Sequence, residues 1–575
     1  MKIGKCMKII LAVCFSIASL AGAGIVEQPS AMPDAMVSVT VSDLHGFIDG
    51  IGSVAAQVSP MASGMMIKSM AGMQLGDPGL AGIAPGKGLA IVALDQSNIF
   101  AIVEVGEAQA PTYTATLSQK GLHAKYADGV LVVAKDAAQV DKGVSEIVAV
   151  KDALLAKRSP DLRVVAQPAA MIEKNKAQID GMMQMMPMLI GMGMAQSSPG
   201  MDPASAQGLL RILEGEIRIF RSLAEQCATA EIVLAPNAGS LQFSEIFAAK
   251  PGTRLATLMN APKVNQPNPG IQAGLLGNAA IAVDSTMSNP EAFTSFLIEE
   301  MDLLLNEMGL ESSAPLKDCI KKWMGLFNGS FSETVGFGGK NYVDVNYVLA
   351  VKDEASALSL LKSMEQDMAP FLDLYKSFGM PMSLKFLENV REHNGVKIHQ
   401  FKVDVSMSPE QLAAAGAMNM NLSNMVYDVA ICDGLMLYSM GGAGIETLID
   451  RVKDAGFQAD PLKARSIYPA NGFYYCDVDV AKYMAGIASI LPQDPNNPMP
   501  QLATLLQGAD PVTSAGFRDD GLVMWSVNIP GSLIGKVGQA AMMMQMQQMQ
   551  QAQSMPLSGN PMGIPGDVST QAPPP

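Results

Sequence analysis

Histidine is scarce in this chain, and the common nucleophile and nucleotide motifs are missing. The four histidines are His45, His123, His393 and His399, and no two of them have the spacing of an H-E-x-x-H zinc site. There is no G-x-S-x-G elbow and no P-loop, and the GGAG run at 441–444 lacks the third glycine of a dinucleotide fingerprint. These absences argue against a zincin, an α/β-hydrolase, a P-loop NTPase and a Rossmann dehydrogenase.

Positive charge is also in short supply. Lys and Arg number 39 against 54 Asp and Glu, the formal net charge is −15, and only 16% of the residues are charged. No basic stripe interleaved with aromatic residues occurs, and a chain of this charge repels phosphate backbones. Nucleic acid is therefore not an expected partner. The 49% hydrophobic content supplies enough apolar material for large cores.

Cysteine is rare, and its spacing excludes two familiar uses. The six cysteines include no C-x-x-C pair, which argues against a zinc knuckle and a thioredoxin-type redox site. Two of the six, Cys6 and Cys14, lie within residues 1–23. The other four are candidate disulfide cysteines, and sequence leaves three pairings open among them: Cys227, Cys319, Cys432 and Cys476. Burial of each as a small hydrophobic side chain is the alternative interpretation.

The N-terminus has the pattern of a secretory signal peptide. A lysine-containing head precedes an apolar run at 9–20, and Ala21, Ala23 and Gly24 form a small-x-small cleavage site. The apolar run is shorter than the roughly 20 residues of a membrane span, and no later run reaches that length. Removal of residues 1–23 takes away three lysines and changes the net charge from −15 to −18. We expect an exported protein, periplasmic or secreted, without a transmembrane span in the mature chain.

One pattern of residues occurs twice in the sequence. ADGVLVVAKDAAQVDKGVSEI at 127–147 and CDGLMLYSMGGAGIETLIDRV at 432–452 each indicate a D-G turn, a buried strand and an amphipathic helix. Three further pairs of segments match in the same chain order: 36–51 with 279–297, 162–179 with 473–490, and 235–252 with 517–531. Four matched pairs in one order indicate an internal duplication.

The duplication sets the expected domain organisation. Residues 24–259 form the first half, 260–274 a Pro/Asn/Gly-rich linker, 275–552 the second half, and 553–575 a disordered Pro-rich tail. Tight N-G and D-G turns imply antiparallel strands, and helices follow many of them. The predicted fold is α+β, with two tandem related halves, each a mostly antiparallel sheet with helices layered on it. Whether the halves share one sheet stays open.

Methionine is the compositional outlier, with 43 residues. The dense runs are at 182–194 and 542–550. A core or interface helix is one interpretation, an adaptable surface for a hydrophobic ligand is another, and a Cu(I) site is a third, although no histidine is nearby. The candidate apolar surface, chosen partly by helical spacing, consists of Met182, Met185, Met186, Met542, Met546 and Met549.

Asp477 and Asp479 form the most suggestive carboxylate pair. Such a pair suits a divalent cation, but it also stands where a strand meets a helix, and helix N-termini favour aspartate. Ser359 and Lys362 match the S-x-x-K motif of serine acyl-enzymes, yet the chain has no K-T-G or K-S-G to complete the set. We therefore predict no catalytic residues, no metal site and no cofactor.

The recurring unit resembles a family of uncharacterised exported bacterial proteins. The unit is a strand such as MVSVTV or AAIAVD, a helix carrying Phe47 or Phe293, and a D-G-hairpin strand followed by a second helix. In that family such units recur across long chains with signal peptides, and the resemblance covers most of residues 36–540. It implies bacterial export and an α+β repeat, and it carries over no functional residues.

Three functional hypotheses follow from these observations. The first is a non-enzymatic binding or scaffold protein of the bacterial cell envelope, whose partner is an unknown envelope protein or an apolar ligand. The second is a periplasmic carrier of a lipid or other apolar ligand, with its pocket between sheet and helices and a methionine-rich wall. The third is a hydrolase whose site is dispersed in the sequence, because catalytic groups need only meet in space.

Overall fold

The computed structural model describes most of the chain between Met36 and Ser554. The gaps within that range are 60–63, 96–97, 149–150, 156–158, 183, 186–187, 189–214, 216, 238, 263–267, 278, 288, 308–313, 338–342, 370–371, 374–381, 406–424, 441–443, 492–496 and 520. The signal residues Ala21, Ala23 and Gly24, and residues 555–575 of the predicted tail, lie outside the described part.

The strands alternate with helices along the whole chain. Those before residue 250 are β1 (Val37–Val41), β2 (Leu89–Ala93), β3 (Ile99–Glu104), β4 (His123–Ala127), β5 (Val130–Ala134), β6 (Leu162–Ala166), β7 (Cys227–Asn237) and β8 (Ser240–Ala249). Those after it are β9 (Ile281–Thr286), β10 (Phe327–Phe337), β11 (Val343–Val351), β12 (Met382–His393), β13 (Val396–Val405), β14 (Met425–Cys432), β15 (Leu435–Met440), β16 (Tyr474–Val478), β17 (Val512–Asp519) and β18 (Leu522–Pro530).

All of these strands pair antiparallel and form one 18-stranded sheet. The order across the sheet is β4-β5-β3-β2-β1-β6-β7-β8-β18-β17-β16-β9-β10-β11-β15-β14-β13-β12. At the β8–β18 junction Ser244 faces Ser526, and their Oγ atoms are 2.8 Å apart. The N-terminal and C-terminal parts of the chain therefore share a single sheet.

Helices cover both faces of this sheet. The α-helices are α1 (Leu44–Val58), α2 (Gly64–Leu75), α3 (Ala110–Gln119), α4 (Ala137–Ile147), α5 (Lys151–Leu154), α6 (Pro168–Lys174), α7 (Arg254–Met259), α8 (Pro290–Glu307), α9 (Ala314–Leu326), α10 (Glu354–Asp367), α11 (Gly444–Lys453), α12 (Lys463–Ile467), α13 (Val480–Ile490), α14 (Met499–Leu506) and α15 (Gly531–Ser554). The predicted α+β class with an antiparallel sheet is confirmed.

Strand alternation divides the core between the two faces. Because successive side chains point to opposite faces, Val41 packs under Leu44 of α1 on one face. Val92 of β2 packs under Val140 of α4 on the other. We call these the α1 face and the α4 face. Each face of the sheet thus has its own hydrophobic core.

The two D-G turns adopt the backbone that their sequence predicts. Asp128 and Gly129 have φ of 48° and 82°, and Asp433 and Gly434 have φ of 54° and 72°. Positive φ at both central residues is the signature of a type I′ turn, and its twist matches that of a two-stranded antiparallel hairpin. The turns start β5 and β15, whose side chains are mostly buried.

Part of the predicted linker packs into the core. Residues Pro269–Gly274 form a 3-10 helix that starts at Asn268, whose side chain accepts a hydrogen bond from the N–H of Gly270. Ile271 is buried against the α4-face core of the C-terminal part, and Thr334 donates to the carbonyl of Gly274. The Pro, Asn and Gly residues that predict a linker also suit a tight helical turn, so composition alone does not separate the two.

No helix in the described part of the chain is long and apolar enough to cross a membrane.

Candidate functional site: the methionine cleft

The last helix, α15, packs against the rest of the protein along its first part and is mostly exposed along its second part. Its first part packs closely on α1: a Cβ added at Gly538 would lie 2.4 Å from Cγ1 of Val58, and one at Gly535 would lie 3.0 Å from the carbonyl of Gln57. Glycine is needed here because any larger residue pushes the helices apart. From residue 541 onward most of the described side chains of α15 are exposed. The second part of α15 therefore presents its surface to solvent.

A cleft opens where α15 passes α14. Its volume is about 300 Å³, at the lower end of the range for ligand pockets. The residues that line it are mostly apolar: Pro498, Gln501, Leu502, Thr504, Leu505, Ala540, Met543 and Met544. We call this the methionine cleft. Lys536 of α15 donates a hydrogen bond to the carbonyl of Gln507 beside α14, which ties the two walls together.

The predicted methionine stripe lies on the same helix, next in sequence to the cleft residues Met543 and Met544. Met542, Met546 and Met549 are 42%, 51% and 52% exposed. Met182 and Met185 are also exposed, on the chain that continues beyond α6. Met186 lies outside the described residues. The exposed methionines are thus on at least two separate helical segments, and the stripe on α15 shares its helix with two methionines of the cleft.

The surface around the cleft carries almost no charge. Lys536 is the single charged residue of α15, and α14 has none. In a protein with a net charge of −15, a helix pair that has a single charged residue and flexible thioether side chains favours contact with apolar molecules of varied shape.

Sequence spacing found the stripe but missed the cleft itself. Met543 and Met544, which line the cleft, lie next to the predicted stripe. The opposite wall, with Leu502 and Leu505, comes from a helix that the sequence analysis did not single out. The sequence signal for this helix is the largely apolar segment 502–506, which follows a proline-rich stretch.

The four candidate disulfide cysteines are free thiols in the structure, and each is buried. They lie on four different elements. Burial raises the pKa of Cys227, Cys432 and Cys476 to about 11. Thiols in this state are poor nucleophiles and pack as small hydrophobic groups.

Asp477 and Asp479 act as helix caps for two different helices. Asp479 accepts from the N–H of Lys482 at 3.0 Å and starts α13, as expected from its position. Asp477 instead accepts from the N–H groups of Lys463 and Ala464, at 2.5 and 2.9 Å, and so starts α12. Across the described residues, no three His, Cys, Asp or Glu side chains come together as metal ligands.

The four histidines lie in separate local environments. His45 Nε2 lies 2.6 Å from the carbonyl of Ile83, and His393 Nε2 lies 2.7 Å from the carboxylate of Asp450. His399 is buried and stacks on Phe386, and burial lowers its pKa. His123 is exposed on β4. Because these contacts lie on different elements, they do not form a shared site.

Comparison with known proteins gives no relative: no family model, curated protein or solved structure matches this chain. The site therefore has to be interpreted from its own geometry and chemistry.

Proposed function

We propose that the protein is an exported, non-enzymatic binding protein of the bacterial cell envelope that recognises an apolar partner at the methionine cleft. The observation that carries the proposal is an apolar cleft of about 300 Å³ beside exposed methionines on a nearly uncharged helix. Methionine surfaces of this kind accept partners of varied shape because the side chain is unbranched and polarisable.

The partner that fits best is an amphipathic helix of another envelope protein. The cleft lies between two helices and is mostly apolar, and an amphipathic helix places its apolar face in a hydrophobic groove of this kind. The exposed second part of α15 consists mainly of good helix formers but packs little against the rest of the protein, and helices in water gain most of their stability from tertiary packing. Docking of a second helix would supply that packing.

The signal pattern at residues 1–23 supports export, and the proposed site needs no enzyme chemistry. Residues Ala21, Ala23 and Gly24 remain the proposed cleavage site. The large acidic excess suits a protein that stays dissolved in an aqueous envelope compartment while it exposes an apolar surface.

We further infer that the chain arose by duplication of one unit. Outward from the central β8–β18 pair, one side of the sheet runs β7, β6, β1, β2, β3, β5, β4 and the other runs β17, β16, β9, β10, β11, β15, β14. Each strand has a counterpart at the same place in the order. The hairpin β12–β13 extends only the C-terminal side.

Replacing residues that line the cleft tests the proposed function. The triple variant Leu505→Gln, Met543→Gln, Met544→Gln is expected to bind the uncharged apolar dye N-phenyl-1-naphthylamine about tenfold more weakly than wild type, because three apolar contacts become polar. A short helical peptide with leucines at i, i+3, i+4 and i+7 should displace the dye from wild type. Dye fluorescence titration measures both effects.

A matched triple variant on another exposed helix provides the control. Met65→Gln, Met70→Gln and Met73→Gln alter methionines of α2 that are 58–81% exposed, and dye binding should stay as in wild type. Equal weakening by both triple variants would show unspecific adsorption and would refute the site. Sedimentation that shows loss of a dimer in the cleft variant would make a second copy of the chain the partner instead.

A further inference from the structure

Three isoleucines on inner strands of the sheet are exposed. Ile91 of β2, Ile99 of β3 and Ile232 of β7 are 43%, 49% and 39% exposed. Each of these strands is paired on both sides. Large aliphatic residues at such positions are usually covered by the next layer, and contiguous exposed apolar surface marks a binding site.

The strand register places the isoleucines in one continuous strip on the α1 face. The strip runs across five neighbouring strands through Ala101, Ile91, Val39, Val164 and Ile232, which face one another in register. Five strands span about 19 Å at the normal inter-strand spacing. A second row, two residues further along each strand, starts at Ile99 and contains only alanine, valine and isoleucine. The two rows, about 7 Å apart, form what we call the aliphatic band.

The aliphatic band is bounded by the row of residues under α1 on one side and by β8 on another. The next row towards α1 is covered, because Val41 packs under Leu44 and Ile48. Beyond β7 the first row continues to Glu245 of β8, which ends the apolar surface. At the second row, α6 starts directly after β6, and none of its residues is buried. Among the described residues, Ile91, Ile99 and Ile232 leave the band partly accessible to solvent.

The fold does not require this composition. The strands at the same places in the C-terminal order carry Tyr347, Glu333, Val283, Cys476 and Ser514 in the corresponding row. That row mixes aromatic, acidic and polar side chains, and its valine and cysteine are buried. Of these two corresponding rows, only the one in the N-terminal part is all aliphatic, and its Ile91 and Ile232 are exposed.

The band offers apolar contact and no hydrogen bonds. The backbone of β1, β2 and β6 is engaged in ladders on both sides, and the side chains of the two rows have no polar atoms. A peptide lying there would leave its own N–H and C=O groups unpaired, at about 1–3 kcal/mol for each buried group. A hydrocarbon chain has no such groups, and it gains roughly 25 cal/mol for each Å² that it buries.

The positively charged side chain of Lys174 lies at one end of the aliphatic band. Lys174, exposed at the end of α6, places its Nζ 3.3 Å from the carbonyl of Leu94, in the turn between β2 and β3. A carboxylate at this end would meet a positive charge, whereas Glu245 lies past the other end of the first row. We propose that the aliphatic band binds one long-chain fatty acid, with its carboxylate near Lys174 and its chain directed towards Ile232.

Fluorescence titration with cis-parinaric acid tests this site. Ile91→Glu combined with Ile232→Glu is expected to weaken binding at least about tenfold, because carboxylates then replace two aliphatic side chains that would contact the fatty acid. Lys174→Gln should weaken binding of the acid but leave binding of its methyl ester unchanged. Val390→Glu changes an equally exposed apolar residue on the edge strand β12 and should have no effect.

Several results would overturn the proposal. Parinaric acid that fails to bind wild type, or that binds the Ile91→Glu, Ile232→Glu variant as tightly, excludes the band as its site. Should that variant fail to fold, as judged by circular dichroism, Ile91→Ser with Ile232→Ser replaces it with the same expectation. Binding lost only in the methionine-cleft triple variant would place the acid in the cleft, which refutes the band but leaves the proposed function intact.

Discussion

Replacing Arg163 by methionine is expected to lower the free energy of unfolding by about 3–5 kcal/mol. Arg163 lies on β6 and donates to Glu231 at 2.9 Å and to Asp161 at 2.8 Å. The side chain of Glu231 is 0% exposed, and no residue in the described part of the chain donates a hydrogen bond to its Oε2. Removal of the guanidinium therefore leaves a buried carboxylate without compensation. Urea unfolding followed by far-UV circular dichroism measures the loss.

Two further variants separate this mechanism from a general effect of losing an arginine. Arg221→Met removes pairs with the exposed groups Asp180 and Glu225 and should cost no more than about 1 kcal/mol. Adding Glu231→Gln to Arg163→Met should recover part of the lost stability, because the orphaned charge is gone. A loss below about 1 kcal/mol for Arg163→Met would contradict the account.

The second large effect depends on pH. Arg465 of α12 donates to Asp284 of β9 at 3.0 Å and lies 4.2 Å above the ring of Tyr475. Burial raises the pKa of Asp284, and Arg465 opposes that rise. The Arg465→Met variant should therefore have a still higher pKa at Asp284 and be about 3 kcal/mol less stable than wild type at neutral pH.

The sign of the pH dependence follows from proton binding. A carboxyl whose folded pKa is raised binds more protons in the native state than in the unfolded state, so stability falls as the pH rises through the interval between the two values. The deficit of Arg465→Met should accordingly shrink as the pH is lowered from neutral towards the ordinary pKa of aspartate. Urea midpoints measured across this range test the expectation.

Asp284→Asn in the Arg465→Met background serves as the control. It removes the ionisable group, so the double variant should be more stable than Arg465→Met at neutral pH and should lack the recovery on acidification. A deficit of Arg465→Met that stays constant with pH would show that lost packing on Tyr475, rather than an uncompensated carboxylate, causes the effect.

The sequence predicts those parts of the fold that depend only on residues close together in the chain, such as turns and helix caps. The D-G pairs at 128–129 and 433–434 predict tight turns, and β5 and β15 begin directly after them. Pro290 begins α8, and the side chain of Asn289 before it accepts from the N–H of Ala292 at 3.0 Å. Turn and cap chemistry acts within a few residues, so a single sequence contains the whole signal.

Register was harder to predict. Aligning 162–179 with 473–490 sets Gln167 opposite Val478, whereas the residues that start α6 and α13 are Gln167 and Asp479. The alignment is one residue out. A one-residue slip reverses the faces of a strand, but short strands with apolar residues on both faces give little sequence signal against it.

Contacts between distant parts of the chain were not predictable. The pairing of β8 with β18 joins residues 282 apart in sequence at Ser244 and Ser526, and the cleft needs α14 and α15 side by side. The aliphatic band exists only because five strands from three parts of the chain align in register. Its residues look like ordinary strand residues in the sequence, and only their exposure in the fold marks them.

The most direct test of the central claim, that this is an exported binding protein for apolar molecules, is native mass spectrometry. The full-length chain is directed to a bacterial periplasm and purified without detergent. The account predicts a polypeptide that begins at Gly24 and carries a discrete additional mass, of a fatty acid or a partner protein, that is released on denaturation. A polypeptide of the mature mass alone, with nothing bound to it, would contradict the claim.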